Sequence, residues 1–170
     1  MLELGRAIVR GRSAPPPPVH AAAVAAAGAP PFAARADRVC FLRSHLVLNS
    51  AYFLAQRDVL ALGPSVEAVV APFERPPAGG ACAARATVAA VRYPSAALAA
   101  AALARFRSEY LRDADPGGNA GAVRIEDGWA GYRLAGRGVA LVFEGPGRAD
   151  AEALLAAAAA ALSQVEVPHE

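Results

Sequence analysis

The chain has no lysine: all 17 of its basic side chains are arginine, and alanine and proline are abundant, the composition of GC-rich coding rather than of arginine-specific chemistry. The arginines are scattered one or two at a time and the formal net charge is only +2. Phosphate backbones need a basic stripe, so no nucleic-acid partner is expected. Cysteine is scarce. Cys40 and Cys82 are too few for a four-ligand zinc site and lack C-x-x-C spacing, so two ordinary thiols, buried or not, are expected. A disulfide between them would need an oxidising compartment and close Cα atoms. Of three histidines only His45 lies in the region expected to fold, with no partner at an interpretable spacing. H-E-x-x-H, G-x-S-x-G and Walker-type glycine loops are all missing, so no catalytic residue, metal or cofactor is assigned. No apolar run of about 18 residues occurs outside alanine-rich sequence, so no transmembrane helix is expected.

What is present divides by composition. Residues 1–37 carry Arg6, Arg10 and Arg12, then Pro15 to Pro18, then an alanine run and Pro30-Pro31. Prolines stand where a signal peptide needs its leucine-rich core, so this segment reads as a disordered tail or linker. The location is then cytoplasmic if Met1 is the true start, and exported if the N-terminus is truncated or misassigned. Residues 38–165 have the composition of a single folded domain, and 166–170 form a tail.

The domain is organised around Arg85–Leu111. Thr87, Ala89, Val91 and Tyr93 alternate with Val88, Ala90 and Arg92 at the strand period. Pro94 ends that strand, and Ser95 caps a helix whose Leu98, Ala99, Ala102, Leu103, Phe106 and Tyr110 fall in one stripe. Upstream, Val39, Phe41, Leu46 and Leu48 suggest one or two short strands, and Arg57–Leu62 a helical turn. Val66–Phe73 reads as a strand that Pro72 confines to an edge or ends near Ala71. Downstream, Val123 and Ile125 point inward, Asp127-Gly128 makes a two-residue turn, and Trp129–Leu134 returns antiparallel. Gly136-Arg137-Gly138 turns into Val139–Glu144, and Gly145-Pro146-Gly147 leads to a helix from Arg148 to Leu162 that buries Ala151, Leu154, Leu155, Ala158 and Leu162. Both halves thus run strands, proline corner, alanine-rich helix. The expected fold is α+β: an antiparallel sheet with two helices packed on one face, from a pseudo-repeated strand-strand-helix unit.

His45–Leu54, Asp58–Gly63, Val66–Val70, Val91–Ala97 and Glu126-Asp-Gly-Trp129 together resemble a bacterial domain-of-unknown-function family (DUF 6599), over about Arg38 to Leu162. The resemblance implies a small α+β module, often exported or lipid-anchored, without an assigned activity, and carries no catalytic residue.

The function expected is a non-catalytic binding or interaction module using the open sheet face, with Trp129 and Arg133, four positions apart on one strand, as the surface for a protein or small-molecule ligand. The alternative is a small α+β enzyme whose pocket residues are too dispersed to form a motif. A third reading makes the open sheet face a homodimer interface.

Overall fold

The computed structural model describes residues 24, 29–77, 79, 82–112 and 117–164. In chain order these form β1 (Ala33–Ala34), a 3-10 turn (Ala36–Arg38), β2 (Cys40–Leu42), α1 (His45–Ala51), β3 (Glu67–Arg75), β4 (Ala84–Arg92), α2 (Ala96–Tyr110), β5 (Ala120–Ile125), β6 (Gly128–Ala135), β7 (Gly138–Gly145) and α3 (Arg148–Gln164). Among the described residues, seven strands make one antiparallel sheet in the order β1-β3-β4-β7-β6-β5, and β2 also pairs with β3. The α+β class and the antiparallel sheet are as expected. Residues 29–37, expected in the tail, belong to the fold, because Phe32 is buried and β1 pairs with β3. Residues 1–23, 25–28 and 165–170 lie outside the described residues.

The helices do not share a face. Ala68, Val70, Ala89, Val91, Val139, Leu141 and Phe143 face a core with Ala99, Ala102, Leu103 and Phe106 of α2, completed by Leu48 of α1 and by Leu54, Val59 and Leu60 of the following loop. The intervening residues Val69, Ala71, Phe73, Val88, Ala90, Ala140 and Val142 face a second core with Ala151, Leu154, Leu155, Ala158 and Leu162 of α3. The result is three layers, helix on sheet on helix. Both sheet faces are covered, which corrects the expectation of an open one. The central strands are apolar on both sides, Val88-Ala-Ala-Val91 and Val139-Ala-Leu-Val-Phe143, as doubly covered strands must be.

A bulge in β7 accounts for the change of face. Gly131 pairs with Val142 but Trp129 pairs with Gly145, so Phe143 and Glu144 stand opposite Ala130 alone. Glu144 takes the left-handed conformation, φ 57°. Phe143 faces the α2 core while Gly145, two residues on, meets Ala151 of α3, where an added Cβ would come within 3.2 Å of its Cβ. Without the extra residue, positions 143 and 145 would point the same way. The two strand-strand-helix segments therefore share an element order but place their helices on opposite sides. A two-fold axis relating antiparallel β4 and β7 would leave both helices on one side.

Three local expectations shift. Leu46 and Leu48 lie on α1, not on a strand; Ser44 caps that helix by accepting from the Leu46 amide at 3.3 Å. Residues 57–62 form turns rather than a helix. The β5–β6 turn is Glu126-Asp127, with Gly128 already paired to Ile125. Gly128 has φ 128°, and a Cβ there would lie 2.9 Å from the Gly145 carbonyl oxygen, so only glycine fits. Pro72 sits inside the sheet, opposite Thr87. On its other side β3 runs in the gap between β1 and β2, where the Arg35 amide donates to the Pro72 carbonyl at 2.9 Å and no acceptor requires the missing N–H.

Candidate functional site

Trp129 and Arg133 lie on the α3 side of β6, but they do not form one site. Trp129 is half-buried against the α3-side core. Arg133 is exposed and lines a groove of about 220 Å³ with Ala120, Gly121 and Ala122 of β5 and Arg148, Glu152 and Leu155 of α3. Arg148 donates to Glu152 at 2.8 Å across one helical turn. Arg133 makes no ion pair among the described residues. Tyr132 points the other way, fully buried on the α2 side, with its hydroxyl donating to the Gly117 carbonyl and the Arg107 guanidinium 5.6 Å from its ring centre.

His45 has a partner that its spacing concealed. At the first residue of α1, its Nδ1 lies 4.0 Å from an Asp58 carboxylate oxygen, 13 positions along the chain. The other Asp58 oxygen is buried and has no hydrogen bond among the described residues. Cys40 and Cys82 are both free thiols and both exposed. The Gly145–Arg148 corner is a strand-to-helix turn in which Asp150 occupies the first turn of α3 and accepts from Arg75 at 3.1 Å. Among the described residues no three of His, Cys, Asp and Glu are grouped to hold a metal ion.

Aromatic side chains meet at the end of the sheet where β7 bulges. Tyr52, just past α1, stacks on Phe143 with ring centres 4.6 Å apart, and Tyr110, the last residue of α2, meets the same ring edge-on at 5.6 Å. The two tyrosine hydroxyls approach to 3.4 Å. Burial pushes both phenols up; the nearby carboxylates of Glu144 and Asp127 push the same way. Both phenols are thus held neutral, away from the range in which a side chain exchanges protons at neutral pH. Tyr93 is treated alike. It is buried, donates to the Leu60 carbonyl at 2.7 Å, and is pushed up first by burial and then by the Asp58 charge.

Three large apolar side chains on and just past α1 stand exposed. Leu46 and Val47 of α1 are 68% and 51% exposed, and Phe53 is 66% exposed. α1 holds its place through Leu48, buried beneath it, and through Asn49, whose side chain accepts from the Leu54 amide and donates to the Ala55 carbonyl. The loop carrying Phe53 is therefore fixed while its ring stays in solvent.

Comparison with protein-family models, with curated proteins and with solved structures finds no match. No helix among the described residues is long and apolar enough to cross a membrane.

Proposed function

We propose that this chain is a non-catalytic binding or interaction module, with Leu46, Val47 and Phe53 as its contact surface. The observation that carries the reading is the exposure of three large apolar side chains on one short helix and its flank, where elsewhere among the described residues Leu98 alone is a large apolar side chain so exposed. Isolated exposed leucines are ordinary; three exposed apolar side chains between residues 46 and 53, on a segment pinned by Asn49, favour a partner. Both sheet faces carry helices, so this patch takes the role first expected of an open face. Trp129 belongs with the α3 packing in this reading, and Arg133 with the groove at the sheet margin. The upward shift of the Tyr52 and Tyr110 phenols supports a structural part for that pair rather than general acid–base work.

The test compares the full chain with the Leu46→Ser, Val47→Ser, Phe53→Ser variant as baits. A partner retained by the parent and lost by the variant, with thermal unfolding unchanged, is the expected result. Equal retention by both would move the surface elsewhere. Turnover of a substrate that depends on His45 or Asp58 would overturn the non-catalytic reading.

A further inference from the structure

The two margins of the sheet are finished differently. On one side β3 is covered by two short strands, β1 and β2, of two and three residues. On the other, β5 presents six residues, Ala120–Ile125, with a single charge and no strand on its outer side among the described residues. Short or heavily charged margins are the usual protection against edge-to-edge pairing, and β5 has neither. We propose that β5 is a dimerisation edge, at which two copies of this chain pair antiparallel about a two-fold axis at Val123.

Backbone polarity sets which groups are available. The Leu134 amide donates to the Asn119 carbonyl at 2.8 Å, so Asn119–Leu134 is a hydrogen-bonded pair, and by alternation Gly121, Val123 and Ile125 also bond to β6. The amides and carbonyls of Ala120, Ala122 and Arg124 therefore point outward. Side-chain faces set which registers are allowed. Ala120, Ala122 and Arg124 share the α3 side with Arg133, Gly131 and Trp129, while Gly121, Val123 and Ile125 share the other side. A two-fold perpendicular to the sheet pairs only residues of one face.

Charge then selects among the symmetric registers. Centring on Ala122 places the partner's Arg124 opposite Ala120, beside Arg133, and centring on Arg124 sets two guanidiniums against each other; like charges directly opposite are destabilising. Centring on Val123 avoids both. Ala122 then exchanges hydrogen bonds with the partner's Arg124, whose side chain lies over the groove at Glu152. The partner's Glu126 arrives opposite Ala120, at the Arg133 and Arg148 end of the same groove. On the other face, Val123 meets the partner's Val123, and the half-buried Ile125 gains cover opposite the partner's Gly121. The surface is separate from the α1 patch, so the two proposals stand or fall independently.

Sedimentation velocity on the full chain tests the dimer. A concentration-dependent dimer is expected. Ala122→Pro, which removes an outward amide that β6 does not use, should raise its dissociation constant at least about tenfold. Glu126→Arg should weaken it, and Glu126→Arg with Arg133→Glu should restore it. In a Cys40→Ser, Cys82→Ser background, Val123→Cys should oxidise to a covalent dimer and Gly121→Cys should not. A chain that stays monomeric at the highest soluble concentration would overturn the proposal. So would a dimer indifferent to Ala122→Pro in variants whose thermal unfolding is unchanged, or a charge reversal that double substitution fails to rescue.

Discussion

At the scale of single residues, each of the four tyrosine hydroxyls has a partner within the fold. Tyr93 ties the end of β4 to the Leu60 carbonyl, itself in a buried position. Tyr93→Phe keeps the ring and strands that carbonyl, a change that costs about 1–3 kcal/mol, measurable by urea unfolding. The same residues determine the alkaline limit. In the unfolded chain a phenol ionises near pH 10, whereas Tyr52, Tyr93 and Tyr110 are pushed up in the folded state. Their contribution is complete below about pH 10 and is lost as pH rises beyond it, because unfolding then releases protons. Stability measured between pH 8 and pH 11 should fall at the alkaline end, and less steeply in Tyr93→Phe. None of these partnerships was visible in spacing: Tyr52 and Tyr110 are 58 positions apart, and Tyr93 and Leu60 are 33 apart.

At the scale of elements, regular periodicity was readable and brevity was not. β6, α2 and α3 repeat their apolar residues over enough length to reveal period two or 3.6, β4 and β7 are long apolar runs bounded by turn residues, and the expected buried stripe of α3 is buried. On α2 the stripe holds at Ala99, Ala102, Leu103 and Phe106 but fails at Leu98, which is 51% exposed. α1 is seven residues long, and Leu46 and Leu48 mimic alternation because two turns are too few to display the helical repeat. The available signal was Ser44, an N-cap residue ahead of the apolar run. The bulge at Glu144 also escaped notice, since its conformation usually selects glycine. Glu144→Gly relieves the left-handed strain at the same backbone geometry and should raise stability by up to about 1 kcal/mol, read as a higher urea midpoint at constant m.

At the scale of the whole molecule, close approach of the layers matters most. Alanine-rich α3 lies tight on the sheet, and Gly138 at the start of β7 shows how tight: an added Cβ would sit 2.9 Å from Leu162 Cδ1 and 3.2 Å from the Ala135 carbonyl oxygen. Gly138→Ala must push the end of α3 outward and should cost about 1–3 kcal/mol by thermal or urea unfolding, with the secondary-structure content retained. The placement of α2 and α3 on opposite faces also removes any sheet face as a binding surface. Both surfaces proposed above, the exposed side chains of α1 and its flank and the β5 edge, accordingly lie away from the sheet faces.

The sequence alone determined the class of this protein and most of its strands and longer helices, because strand and helix periods are written in neighbouring residues. It also held a sign of the third layer: Val139 to Phe143 is apolar without alternation, as a strand buried on both sides must be. Which face each helix would cover was decided only by the tertiary structure. That choice turns on one extra residue in β7, whose effect exists only when the strand is paired with β6 and its register is counted across the gap between Trp129 and Gly131. The meeting of Tyr52, Tyr110 and Phe143, and of His45 with Asp58, depends likewise on chain crossings that no local spacing encodes.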